Sequence, residues 1–332
     1  MGETLRVFVA GATGVLGRRL VDELADRGHV VVGLTRDREG DELVAERGGV
    51  PRRGDVLDAD SLSWAVGDAD VVVHAASAVP TERKPDEEAW RYNDRVRQAG
   101  ARNLTVAAGE AGAHRYVQAS VVWAVRKDRG GHVDEFTPPN PDRTTRSAVE
   151  TERRARAARK FGLDPVVLRT GWLYAPDADH TRQMGRNLLA RRFPAVGGGL
   201  LGRRCATVSL LHADDAATAF ADACEGDEDG TYHVVDDRPV GLPRFLRTFA
   251  DRLDAPRPPR VPGWLARPFL GRDLVRFLTT GFPTDNDPFR EAFGWRPAFP
   301  TFEDGLDQIC DRWLAHGTLR ETPDGYVWAD EE

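Results

Sequence analysis

The chain has 332 residues, 41% of them hydrophobic, enough for one large α/β domain with an appended lobe or for two domains. Its net charge of −7, with 30% charged residues and no basic block, argues against a nucleic-acid partner. The three cysteines, Cys205, Cys224 and Cys310, lie far apart with no CxxC and no nearby His pair. That argues against a disulfide framework or a metal site and fits a reducing cytoplasm. No stretch of about 18 apolar residues is present, and the N-terminus lacks a signal-peptide pattern, so a soluble protein without a membrane span is expected.

The first forty residues read as strand, glycine turn, helix, strand. Leu5 to Ala10 is an apolar run, followed by Gly11-Ala-Thr13-Gly14-Val15-Leu16-Gly17 and an amphipathic segment. Val30 to Leu34 is the second strand. Gly11 allows a tight turn, Gly14 a close backbone approach to a pyrophosphate, and Gly17 close packing of helix on sheet. Free N–H groups at the helix N-terminus face the anion. A bound dinucleotide is the expectation.

Glu39 to Arg47 reads as a short helix and Val50 to Arg53 as a third strand, running into Gly54-Asp55-Val56. Ser61 to Val66 is a short helix with an Asp cap. Val71 to His74 is a fully apolar strand of the parallel-sheet kind. The small residues after it, Ala75 and Ala76, leave room for a ligand. Glu87 to Ala111 is helical, His114 to Ser120 a fifth strand, and 121–141 a proline-rich loop. Ala148 to Phe161 is a helix ended at Gly162, and Pro165 to Arg169 a sixth strand. The alternation predicts a Rossmann-type, doubly wound parallel sheet.

From Thr170 the pattern changes. Gly171 to Gly202 is irregular and Arg-rich, with Gly197-Gly-Gly199. Ala206 to Leu211 and Thr231 to Val235 read as strands, Ala216 to Glu225 and Pro243 to Leu253 as helices. The rest reads as helical, with a turn at Phe293 to Pro297. The expected division is a dinucleotide domain of 1–175 plus about 213–235, and a smaller, mainly helical substrate lobe of about 176–212 and 236–332.

These residues carry a resemblance. The chain resembles an extended or atypical short-chain dehydrogenase/reductase of the NAD-dependent epimerase/dehydratase and dihydroflavonol-reductase type. VFVAGATGVLGRRLV resembles that family's nucleotide turn, and RRGDVLDADSL its third-strand motif, in which Asp55 and Val56 lie beside the adenine. DADVVVHAAS resembles its fourth strand, whose loop, His74, Ala75 and Ala76, passes the nicotinamide ribose. Ala119 and Ser120 end the fifth strand. LRTGWLYAPD, SLLHADDAATAF and FGWRPAFPTFEDGL resemble its later motifs. The resemblance implies an oxidoreductase or epimerase acting on a small carbonyl or hydroxyl substrate. It also implies a homodimer through the helices near 90–110 and 148–161.

The same resemblance shows a gap. Such enzymes carry a Tyr and, four residues later, a Lys on one helical face. The cation and the ribose lower the Tyr pKa for proton transfer. Here the matching string is TTRSAVETER, with Thr144 at the Tyr position and Ala148 at the Lys position. The five tyrosines, Tyr92, Tyr116, Tyr174, Tyr232 and Tyr326, are followed four residues on by Val, Ser, Ala, Asp and Asp, so no YxxxK exists. Val121 falls on the usual catalytic serine, and Arg97 where the family commonly has Asn. Loss of a positioned acid typically costs ~10²–10⁴ in rate. Ser120 and Tyr174 are the replacement candidates, with His132, Asp134 and Glu135 in the loop after the fifth strand; water is a further proton source. Trp172, Tyr174 and Arg182 are candidates for the substrate pocket.

At the end of the second strand Arg36 stands where NAD enzymes generally carry an acid. It can stack on adenine and pair with a 2′-phosphate, which favours NADP. Asp37, one residue later, leaves NAD open. The sequence therefore supports two readings: an NAD(P)-dependent enzyme with a non-standard active site, or a non-catalytic NAD(P)-binding sensor, assembly factor or subunit. An open cavity with a polar group in reach distinguishes the first.

Overall fold

The computed structural model of the chain describes residues 3–80, 85–197, 205–323 and 325–329. In chain order it begins with β1 (Arg6–Ala10), α1 (Val15–Asp26), β2 (Val30–Thr35), α2 (Arg38–Glu46), β3 (Val50–Arg53), α3 (Ala59–Val66) and β4 (Val71–His74). Next come α4 (Glu87–Glu110), β5 (Arg115–Val121), α5 (Arg146–Arg156), β6 (Asp164–Thr170), β7 (Trp172–Tyr174) and α6 (Asp179–Leu189). They are followed by β8 (Ala195–Val196), β9 (Thr207–Val208), β10 (Leu210–His212), α7 (Ala213–Glu225) and β11 (Gly230–Val234). The chain closes with β12 (Val240–Gly241), α8 (Leu242–Arg252), β13 (Arg260–Val261), α9 (Gly263–Thr279), α10 (Asp287–Phe293), α11 (Phe302–Ala315), β14 (Leu319–Thr322) and β15 (Gly325–Trp328).

Seven strands form one sheet in the order β11-β6-β5-β4-β1-β2-β3. Every pairing in it is parallel. All four residues of β4 are buried, as an uninterrupted apolar strand covered on both faces must be. One face carries α1 and α7, packed through Val7, Val9, Leu20, Leu24 and Phe220. The other carries α3 and α4, packed through Phe8, Leu104 and Tyr116. Strand order reverses between β1 and β4, so their C-terminal ends diverge and open a crevice there. This is the doubly wound sheet that the alternation of elements predicts.

A separate core unites the later helices around Tyr174, Phe245, Phe249, Leu306 and Trp313. The Ala206–Leu211 strand is interrupted at Ser209, whose hydroxyl accepts the Thr284 amide at 3.0 Å. β9 therefore pairs with β12, and β10 with β7. The helix expected to run to Phe161 tightens to a 3₁₀ turn after Ala157 and ends at Gly162, φ +81°. A 3₁₀ turn, Val122–Val125, opens the loop after β5. The chain end holds a hairpin, β14–β15, where only helix was expected; Trp328 packs on Trp313 with ring centroids 4.9 Å apart. Gly198 and Gly199 of the glycine run lie outside the described residues.

His233, on the sheet's edge strand β11, ties the sheet to the later helices. Its Nδ1–H donates to Thr284 Oγ1 at 2.8 Å, and its Nε2 accepts from Arg169 at 3.4 Å. Burial, then the Arg169 charge, lowers its pKa to about 3. The unfolded value is 6.5, so the stability is present above pH 6.5 and is lost as the pH falls towards 3. Between pH 7 and 5 the wild type is expected to lose about 2 kcal/mol more than His233→Gln in urea unfolding. Parallel pH profiles for the two proteins would refute the assignment.

Candidate functional site

The crevice is built first by glycine. Gly11 leaves β1 with φ +92°, and a Cβ there would lie 2.7 Å from the Ala76 amide nitrogen. The turn after β1 therefore sits directly against the loop after β4. A Cβ on Gly17 would overlap the Gly11 carbonyl oxygen and lie 2.7 Å from the carbonyl carbon, so α1 rests on the turn itself. Gly14 is the N-cap of α1 in extended conformation, and no acidic residue occupies the helix's first turn. The first amides of α1 thus face the crevice with no competing carboxylate of their own helix.

Gly11, Thr13, Gly14, Val15, Leu16, Gly17, Arg36, Asp55, Val56, Ala75, Ala76, Ala119 and Ser120 all line one cavity of about 1580 Å³. The convergence of backbone amides, a glycine cradle and a long cavity fits an anionic dinucleotide. His74 is the exception among the expected contacts. Its ring turns away from the cavity to α4, where Nε2–H donates to the Arg97 carbonyl at 3.2 Å. Gly100 makes room for it, and burial lowers its pKa to about 4, so it is neutral. Arg18 and Arg19 are also held elsewhere, by Asp177 at 2.5 and 2.6 Å.

At the adenine end, Asp37 caps α2: its Oδ1 accepts the Gly40 amide at 2.8 Å. Arg36 is exposed, and its guanidinium reaches Tyr92 Oη at 3.4 Å with no carboxylate partner among the described residues. The other basic side chains nearby are taken: Arg38 by Glu42 and Arg53 by Asp41, at 2.8 and 2.7 Å.

The wall after β5 differs from the expectation. The Ser120 hydroxyl donates to Glu152 Oε1 at 2.6 Å. Glu152 is fully buried and also receives Arg169 in a bidentate pair at 2.9 and 2.8 Å. The serine's proton is therefore committed to a carboxylate and not offered to a carbonyl. Glu152 follows Ala148 by four residues on the same face of α5, and Thr144 lies in the turn before the helix. Thr144 donates its hydroxyl to Asp142 at 2.7 Å, and neither Thr144 nor Ala148 lines the cavity. Ala148 packs instead with Val121 and Ala124 in a small apolar cluster.

The remaining candidate acids lie elsewhere. Tyr174 is buried in the later helical core, its ring 5.3 Å from that of His212, and burial drives its pKa well up. It does not line the cavity. His132 pairs with Asp285 at 3.0 Å on the surface. Asp134 accepts from Thr137 at 2.7 Å, and Glu135 accepts the His233 amide at 2.9 Å. Arg182 stacks over Trp328 at 5.6 Å rather than lining the cavity. Of the three pocket candidates only Trp172 lines it.

Beyond the cofactor half the cavity is apolar and aromatic. Trp172 meets Phe277 edge-on at 5.3 Å, and Trp123 meets it at 5.5 Å. Leu270, Leu274, Phe277 and Leu278 of α9 complete this wall, with Arg97 and Arg192 as its cations. The α9 residues recur at helical spacing, a signal the sequence contains; what the face packs against is not in the spacing. No cluster of three or more His, Cys, Asp or Glu side chains suited to a metal occurs among the described residues. No described helix is long and apolar enough to cross a membrane.

Comparison with known proteins agrees with this architecture. A Streptomyces protein named 3-diazoavenalumate denitrifying reductase is 37% identical over 317 residues, 91% of this chain and 99% of that one. A Stigmatella aurantiaca ketoreductase of 4-hydroxy-2-methyl-3-oxo-4-farnesyl-3,4-dihydroquinoline-1-oxide is 30% identical, covering 73% of this chain and 71% of its own. The Thermus thermophilus UDP-glucose 4-epimerase, solved with NAD, superposes with a TM-score of 0.75 over 93% of this chain and 99% of that one, at 22% identity. That likeness is one of fold. Residues 7–235 match the model of the NAD dependent epimerase/dehydratase family, and with the glycine cradle, the sheet order and these relatives the chain belongs to that family.

Proposed function

We propose that this protein is an NADP-dependent reductase of an aromatic substrate, with an arenediazonium group as the acceptor that needs no proton from the protein. The observation that carries the reading is the structure around the positions of the family's usual Tyr and Lys, here Thr144 and Ala148. Val121, Ala124 and Ala148 form an apolar cluster there, of which Val121 reaches the cavity, and the hydroxyls of Ser120 and Thr144 are both given to carboxylates.

The chain's own groups divide the binding work. The N-terminal amides of α1 hold a pyrophosphate, and Arg36 pairs with a 2′-phosphate. Asp37 gives one carboxylate oxygen to the cap of α2, which favours Arg36 over it as the group that reads the ribose. A nicotinamide bound in this site supplies a hydride. The aromatic half, Trp123, Trp172 and Phe277, excludes water and orients a ring.

The chemistry of the acceptor decides what else is needed. A ketone that takes up a hydride becomes an alkoxide and must be protonated, which is the task of the missing pair. An arenediazonium ion that takes up a hydride gives an arene and N₂: the C–N bond breaks, a C–H bond forms, and charge balances with no added proton. The name of the Streptomyces relative supports this class. The open aromatic cavity favours an enzyme over a non-catalytic cofactor-binding protein, which the absent pair alone would also allow.

The test is a titration with NADPH and NADH, followed by nicotinamide absorbance with an arenediazonium salt or aryl ketones. NADPH is expected to bind more tightly, and Arg36→Ala to weaken it about 10- to 100-fold with little effect on NADH. The diazonium salt should be consumed with one N₂ per NADPH, and the ketones should not react. Equal turnover of ketones would sink the acid-free reading. Tight binding without turnover of either class would favour the non-catalytic one.

A further inference from the structure

We propose that Arg97 binds an anionic oxygen of the substrate, a carboxylate or phenolate, so that the substrate class is an aromatic anion. This rests on the reductase reading and goes beyond it, because it names the group that positions the ring.

Arg97 stands on the cavity wall, on α4, with Tyr92 and Val96 of the same helix. Its turn of helix is held by the His74 ring on its carbonyl. Gln118, Ala119, Ser120 and Val121 line the same cavity. The guanidinium makes no hydrogen bond or ion pair with any described residue. The nearby carboxylate, Asp94, gives its Oδ2 to Arg143 at 2.8 Å and Arg146 at 3.2 Å, and its Oδ1 makes no hydrogen bond to Arg97. Burial lowers the Arg97 pKa to about 10, which still leaves a cation at neutral pH. A half-buried charge without a bonded partner is costly, and an anion in the cavity offsets that cost.

The cofactor's anionic groups already have partners: the α1 amides for the pyrophosphate and Arg36 for the 2′-phosphate. Arg97 is thus left for the substrate, whose ring the aromatic wall receives. The charge also suits the acceptor. A diazonium and an oxyanion on one ring form a neutral inner salt, whose oxyanion the guanidinium can hold. Without Lys on α5, Arg97 is a cation that lines the same cavity as Ser120. It is supplied by a different helix.

The experiment titrates the NADP⁺-saturated protein with cinnamate and with cinnamide, its neutral isostere, following tryptophan fluorescence. The wild type should prefer cinnamate by about tenfold or more, the range of a charge-assisted hydrogen bond. Arg97→Met should abolish that preference while cinnamide and NADPH affinities stay within about threefold, and Arg97→Lys should keep part of it. Arg192→Met, at the other cation of the aromatic half of the cavity, should leave the preference intact. Three results would overturn the proposal: no preference in the wild type, a preference lost only in Arg192→Met, or an Arg97→Met protein that loses NADPH and keeps the preference. Failure of the reductase reading shows separately, in the NADPH titration without any aromatic probe.

Discussion

Gly17→Ala is expected to abolish NADPH binding at concentrations that saturate the wild type. The added Cβ would overlap the Gly11 carbonyl oxygen and lie 2.7 and 2.9 Å from the Gly11 carbon and the Ala12 Cα. All three obstacles are backbone, so no side chain can swing aside. Nor can Gly11 retreat, because it is pressed against Ala75 and Ala76 and holds φ +92°. The helix must lift from the turn, and its N-terminal amides leave the anion with it. Overpacking of this kind typically costs about 1–3 kcal/mol, seen as a lower Tm in calorimetry. Gly14→Ala is the control. Its Cβ would meet only the Gly11 oxygen, at 3.3 Å, so the fold should survive while the approach of the pyrophosphate is impaired. A Gly17→Ala protein with wild-type affinity would show that the helix does not rest on this turn.

Glu152→Ala is expected to be the most destabilising single change, by about 3–5 kcal/mol, as for other buried ion pairs that lose one partner. Glu152 is fully buried and Arg169 is 2% exposed. Without the carboxylate, Arg169 keeps, among the described residues, the Glu135 carbonyl at 3.2 Å and His233 at 3.4 Å. Arg156 and Ser120 lose a partner at the same time. The loss joins α5, β5 and β6, so it should appear as a lower urea midpoint with an unchanged slope. Replacing both charges, Glu152→Leu with Arg169→Met, should recover more than half of it, because no buried charge is then left alone. An equally damaged double variant would place the cost in packing rather than in the stranded charge.

Much of the cofactor half was legible in the residues. The strand–glycine–helix unit follows from period and from glycine's freedom, both local properties. The sheet follows from alternation, since buried parallel strands must be apolar throughout, as β4 is. The absence of YxxxK is a property of the string itself. The hairpin β14–β15 was not legible, because its short strands are stabilised by Trp328 on Trp313 rather than by a pattern of their own.

The catalytic half was different. Tyr174 follows β6 closely in sequence, yet its ring turns into the later helical core. Asp37 stands one residue from the ribose-reading position, and the start of α2 takes one of its oxygens as a cap. Ser120 and Glu152 lie 32 residues apart and meet only because α5 packs across β5. The sequence by itself determined the fold, the glycine cradle, Arg36 at the end of the second strand and the absence of the usual acid. Tertiary structure alone decided which hydroxyls are spent, which arginine faces the cavity, and that an aromatic wall from α9 closes it. Backbone turns and periodicity are encoded over a few residues; side-chain partnership depends on elements brought together from across the chain.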